Sequence, residues 1–167
     1  MAIPYRGATS STTYFITAGT FCKKNLLQSD RMAELFCQTM FRYRAEGKFL
    51  LHAFVVMPDH IHLLMTVPQG LTLERVVQFI KGGFSHQAGI VTRAVGPFWQ
   101  KSFVDRRVRG LEEFETYLKY IHQNPVRAGL VSSAEKFRYC SMNRRFAMDE
   151  LPQWLKPQPE IPALMHR

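Results

Sequence analysis

The stretch from Lys48 to Val67, KFLLHAFVVMPDHIHLLMTV, narrows the possible folds more than any other part of the chain. Two runs rich in β-branched and aromatic residues, Lys48–Met57 and His60–Val67, flank Pro58-Asp59, a pair suited to a tight turn. A β-hairpin is the expected result. Both runs are apolar on nearly every position, so both faces of the hairpin need cover, and the flanking sequence has to supply it.

It does so in an ordered way. Thr12–Phe21 alternates as a strand. From Asp30, Met32, Leu35, Phe36, Met40 and Tyr43 recur at helical spacing until Gly47. Thr72 is a suitable N-cap for a second helix with Leu73, Val76, Val77 and Ile80 on one face, and Gly82-Gly83 is expected to end or bend it. "PFWQKSFVDRRVRG" reads as extended. A third helix is predicted over Leu111–Asn124 with Phe114, Tyr117, Leu118 and Ile121 inward, closed by Pro125. Strand, helix, hairpin, helix, strand, helix points to an α+β fold: a ferredoxin-like or RRM-like antiparallel sheet with helices packed mainly on one face. The chain of 167 residues suits one such domain, assigned to residues 1–150. Residues 151–167, with Pro152, Pro157, Pro159 and Pro162, are expected to form an irregular tail draped over the surface or partly disordered.

Charge restricts the partner. Lys and Arg number 22 against 13 Asp and Glu, a net +9, which favours a polyanion. After the midpoint the basic residues alternate with Phe103, Phe137, Tyr139 and Phe146, a mixture suited to single-stranded nucleic acid. No apolar run has the length to span a bilayer, and the N-terminus lacks an apolar signal core, so a cytoplasmic protein without a membrane partner is expected. Cys22, Cys37 and Cys140 lack metal or redox spacing and are expected to be reduced and buried.

His60 and His62 stand out from this apolar background. Residues two apart on a strand share a face, so the two imidazoles project together while Ile61 points the other way. On the third helix, Tyr120 and Asn124 lie one turn apart on one flank. If that helix covers the histidine face, two imidazoles, an amide oxygen and a phenol meet in one site. Tyrosine titrates near 10 and is a poor nucleophile unless a cation lowers the barrier, so this set suits phosphoryl transfer to a tyrosine.

"DHIHLL" resembles the His-hydrophobe-His signature of the single-tyrosine HUH transposases of the IS200-like superfamily. "YIHQNPVRAGLV" (Tyr120 to Val131) resembles the tyrosine-helix motif of their REP-associated branch, and "FWQKSFVDRRVR" and "YFITAGTF" extend the similarity from about Tyr14 to Val131. The resemblance implies a DNA endonuclease and strand transferase, with Tyr120 as catalytic nucleophile forming a 5′-phosphotyrosine. His60 and His62 would be metal ligands, and Asn124 the third, where insertion-sequence relatives carry glutamine four residues after the tyrosine; Gln123 and His122 remain open as competitors. The donor set suits Mg²⁺ or Mn²⁺.

The implied substrate is single-stranded or hairpin DNA with a short guide sequence at its foot. Lys81, Lys101, Arg106, Arg107 and Arg127 are the candidate DNA-binding residues, while His52 and His86 carry no motif and read as structural. The resemblance admits either a monomer or a homodimer that exchanges tyrosine helices. A domesticated, non-cleaving hairpin-binding protein is the alternative reading, and a small-molecule hydrolase fits the net charge less well.

Overall fold

Residues 11–157 are described by a computed structural model. Strands β1 (Thr12–Gly19), β2 (Leu50–Val56), β3 (His60–Val67) and β4 (Val104–Arg107) form one antiparallel sheet in the order β2-β3-β1-β4. The expected hairpin is β2-β3. Helix α1 (Asp30–Ala45) links β1 to β2, α2 (Leu73–Thr92) links β3 to β4, and α3 (Leu111–Arg127) follows. This is the ferredoxin-like α+β arrangement that the sequence order predicts.

Strand alternation sorts the side chains into two layers. Ile61, Leu63, Met65 and Val67 face α1 and α2, where Phe36, Met40, Val76, Ile80 and Phe84 complete the larger core. Burying each of these large side chains stabilises the fold by about 1.5–3 kcal/mol. Phe15, Val55 and Leu64 on the opposite face pack against Phe114 and Ile121 of α3. Two helices therefore share one face, and α3, with the segments around Cys140 and Leu155, covers the face that carries the histidines.

Several local expectations are corrected. Gly82-Gly83 does not end α2, which runs on to Thr92 from a Thr72 cap whose Oγ1 accepts from Arg75 N–H at 3.2 Å. Gly83 serves close packing instead, because a Cβ there would lie 2.7 Å from the Tyr43 ring of α1. Pro125 does not close α3 but sits inside its last turn, and the helix continues to Arg127. Proline's fixed φ is helical, and the Pro125 carbonyl still accepts from Leu130 N–H at 3.0 Å. In β2 the pairing with β3 shifts between Leu51 and Ala53, a bulge at His52. The extra residue lets His52 turn inward, Nε2 2.7 Å from Thr66 Oγ1 and Nδ1 3.2 Å from the Asp149 carbonyl, a structural role as expected.

Cys37 and Cys140 are buried free thiols, but Cys22 is exposed, in a short 3-10 turn. The rings interleaved with late cations are not free platforms either. Tyr139 is buried in the larger core, Phe137 and Phe146 pack against it, and Arg138 and Arg145 pair with Asp30 and Glu34. Residues 139–149 run along the outer edge of β2, with Val56 N–H donating to Tyr139 O, Ser141 N–H to Phe54 O and Asp149 N–H to Leu51 O at 2.8–2.9 Å. That edge is closed to further strands. The start of the proline-rich tail is ordered onto the sheet: Gln153–Leu155 forms a 3-10 turn, Leu155 is buried, and Trp154 Nε1 donates to Thr13 Oγ1 at 3.1 Å. Pro159 and Pro162 lie outside the described residues.

Candidate catalytic site

β3 begins at His60, and its pleat turns His60 and His62 to the α3 face, with ring centroids 4.8 Å apart. Each ring is held by its Nδ1. Asp59 Oδ1 lies 2.6 Å from His60 Nδ1, and Thr17 Oγ1, across the β1-β3 ladder, lies 2.8 Å from His62 Nδ1. With Nδ1 protonated and donating, each ring keeps a lone pair on Nε2, the arrangement that metal-bound imidazoles use. Burial, and then the neighbouring His60, push the His62 pKa down to about 4, so the ring is neutral and able to donate that lone pair at neutral pH.

The phenol comes from α3. Tyr120 is 39% exposed, and its ring meets His62 edge-on at 5.2 Å between centroids. Phe15 stacks between His62 (5.3 Å) and Tyr117 (4.5 Å) and meets Tyr120 edge-on at 5.8 Å, so a sheet ring sets the spacing between helix and histidines. Asn124 is half-buried one turn after Tyr120. His122 points elsewhere, its Nε2 3.1 Å from Ser141 Oγ, and lines with Gln123 a separate groove between α3 and the segment 132–135. Among the described residues, no three His, Cys, Asp or Glu side chains form a group that could hold a metal.

The candidate DNA contacts divide by location. The Arg127 guanidinium carbon lies 6.0 Å from the Tyr120 ring centroid, and Arg106 pairs across the ladder with Phe15, which puts both on the site face. Lys81 and Lys101 stand at the His60 end of the sheet. Lys81 Nζ donates to Gln100 O at 2.8 Å, and Gln100 N–H donates to Gly19 O, opposite His60 in register. Arg107 pairs with Tyr14, so it leaves β4 on the α1–α2 side, and at the strand end its side chain lines a cavity that Trp154 also lines.

Residues 8–124 match the family model described as "Transposase IS200 like", most of the chain. The chain belongs to this family. Among individual relatives of this IS200-like transposase, the REP-associated tyrosine transposase of Escherichia coli K12 is 25% identical over 146 residues, 83% of this chain and 86% of the relative. A putative REP-associated tyrosine transposase of Haemophilus influenzae Rd is 26% identical over 119 residues, 65% and 68% of the two chains. A solved REP-associated tyrosine transposase bound to a REP hairpin has the same fold, with a TM-score of 0.72 and 23% identity over 86% of this chain and 84% of that one. A putative transposase from Deinococcus radiodurans R1 aligns with a TM-score of 0.52 and 19% identity, covering 72% and 98%. The resemblance carried by the two motifs is thus borne out. Among the described residues, no helix of this transposase is long and apolar enough to cross a membrane.

Three residues of the site escape a sequence reading. Asp59 reads as a turn residue, yet its carboxylate holds His60. Thr17 and Phe15 are ordinary strand residues until the β1-β3 register sets Thr17 opposite His62. Only the period-2 alternation of "TTYFITAG" hints that Phe15 and Thr17 share a face.

Proposed function

We propose that this chain is a metal-dependent endonuclease and strand transferase for single-stranded DNA, acting through a 5′-phosphotyrosine on Tyr120, with REP-type hairpin DNA as substrate. The observation that carries the reading is the exposed Tyr120 phenol standing against the His60–His62 pair on the same sheet face. Tyr120 Oη bonds to phosphorus as the P–O3′ bond breaks; the phenol loses its proton and the leaving 3′ oxygen gains one. The exchange conserves one phosphoester, so a different 3′-OH can reverse it without ATP.

The donor set fits a divalent ion, since both Nδ1 atoms are engaged and both Nε2 atoms remain. His60, His62 and Asn124 would hold Mg²⁺ or Mn²⁺, which supplies Lewis-acid polarisation of the scissile phosphate. The engagement of His122 with Ser141 favours Asn124 over its neighbours as third ligand. Phe15 keeps Tyr120 at its distance from His62, Arg127 offers charge beside the phenol, and Arg106, Lys81, Lys101 and Arg107 offer phosphate contacts further along. Because Tyr120 meets His62 of its own chain, a monomer contains every proposed part of the site.

The test uses labelled hairpin DNAs of varied sequence with single-stranded flanks, incubated with the protein and Mn²⁺ and separated under denaturing conditions. A covalent adduct is expected with wild type and none with Tyr120→Phe. Binding without an adduct from any hairpin supports the non-cleaving alternative, and an adduct in Tyr120→Phe removes the nucleophile assignment.

A further inference from the structure

A cavity of about 570 Å³, within the range of small-ligand sites of about 300–1,000 Å³, opens where β1 begins and β4 ends. Ser11, Thr12, Arg107, Val108, Arg109 and Trp154 line it. Trp154 is 43% exposed although its indole N–H is already satisfied by Thr13 Oγ1 at 3.1 Å. Leu151 and Leu155 on either side pack into the α3-side core, so the turn that carries the ring is pinned from both directions. The indole is therefore fixed in orientation while much of its surface stays open. The Arg107 and Arg109 guanidinium groups have no ion pair among the described residues; the Glu113 carboxylate nearby accepts from Arg109 backbone N–H at 2.8 Å.

A preoriented ring beside two cations with no ion pair among the described residues is chemistry for a nucleobase and its phosphates. Its position relative to the tyrosine makes the case specific. Thr13, which holds Trp154, lies on the same sheet face as Thr17, which holds His62, four residues along β1 or about 13 Å at strand rise. Arg106 stands on that face between them, opposite Phe15. A few extended nucleotides cover the span.

We propose that this cavity takes one unpaired nucleobase of the DNA that Tyr120 cleaves, stacked on Trp154, with the adjoining phosphates on Arg107 and Arg109. The inference rests on the single-strand DNA reading above and adds a position-specific subsite to it.

Binding is measured by fluorescence anisotropy on the full chain carrying Tyr120→Phe, so that cleavage plays no part. The probes are hairpins with single-stranded flanks, intact or abasic at one flanking position at a time. Trp154→Ala is expected to weaken the intact probe by about 5- to 100-fold, the loss of one stacked base, with Trp154→Phe retaining most of the affinity. One abasic position should cost the parent protein a similar factor and cost Trp154→Ala nothing further. Arg107→Gln with Arg109→Gln should weaken every flanked probe and flatten the salt dependence by about two phosphate contacts. Unchanged affinity in Trp154→Ala, or an equal loss on a hairpin without flanks, overturns the subsite even when wild type forms the adduct. Wild type that neither binds nor cleaves any probe overturns the subsite and the function together.

Discussion

Replacing Thr17 with valine removes one hydroxyl from a side chain of nearly the same shape and leaves a residue well suited to a strand. In the native site the Thr17 hydroxyl lies 2.8 Å from His62 Nδ1, and His62 is only 4% exposed, so no solvent can take its place. Two effects follow. Without the Thr17 hydroxyl, buried Nδ1 costs at most about 1–3 kcal/mol of stability, the penalty of an unsatisfied polar group, less what the neighbouring Ile16 backbone offsets. The ring also loses the contact that fixes its tautomer and aim, which lowers metal affinity about 10- to 100-fold, or about 1.4–2.7 kcal/mol. Calorimetric titration with Mn²⁺ at neutral pH reads the affinity, and nitrogen-edited NMR of the imidazoles reads the tautomer. Thr13→Val is the control. Its hydroxyl is 2.8 Å from Thr66 Oγ1 on the same sheet face, so it should lose stability but not Mn²⁺ affinity. A folded Thr17→Val with wild-type affinity and an unchanged His62 tautomer would refute the reasoning that Thr17 prepares His62 as a ligand.

Other perturbations separate further parts of the argument. Asn124→Ala should lower Mn²⁺ affinity and adduct yield at least tenfold, while His122→Ala leaves both near wild type; the reverse pattern assigns the third ligand to the other flank of α3. Gly83→Ala forces a Cβ to within 2.7 Å of Tyr43 and should cost about 1–3 kcal/mol in urea unfolding, with metal affinity unchanged. Acid stability should fall in two stages, the first through the buried histidines His52, His62 and His122 and the second through Asp149. Burial holds the His52 pKa below its ordinary value, against the pull of Asp149. The Asp149 carboxyl is raised by burial but lowered on balance by Arg44 at 2.8 Å and Leu51 N–H at 2.7 Å. Both folded values lie below the unfolded ones, so both contributions are complete above about 6.5 for histidine and about 3.9 for aspartate and disappear as pH falls. Asp149→Asn should lower urea midpoints at neutral pH, remove the lower stage and, by taking away its pull on His52, widen the upper one.

Much of the architecture can be read from the chain because its signals are local. The Pro58-Asp59 turn, the Thr72 cap and the spacing of Met32, Phe36 and Met40 each report on a few neighbouring residues. What escapes depends on contacts between distant segments. Gly83 looks like a helix breaker until Tyr43 lies across it, and Pro125 looks like a stop because its compatibility with a last helical turn depends on where the helix ends. The bulge at His52 leaves no mark in composition. The same division runs through the site. His60, His62 and Tyr120 announce themselves through motif and spacing, whereas Asp59, Thr17 and Phe15 acquire their positions only from β1-β3 pairing and the seating of α3. Trp154 stands in a proline-rich segment that reads as a loose tail, and its placement depends on Thr13, far away in sequence.

The alternation along β3 ties catalytic readiness to the correctness of folding. Ile61, Leu63 and Met65 belong to one core and His60, His62 and Leu64 to the opposite face. A slip of one residue against β1 would exchange the two sets, driving imidazoles into the packed layer under α1 and α2 and turning isoleucine and leucine toward Tyr120. A misregistered chain would thus lose its core and its proposed metal ligands in the same event. Under the proposed function this acts as a proofreading device: the site is assembled only by the act of folding in register, and a misregistered copy has no site with which to cut DNA.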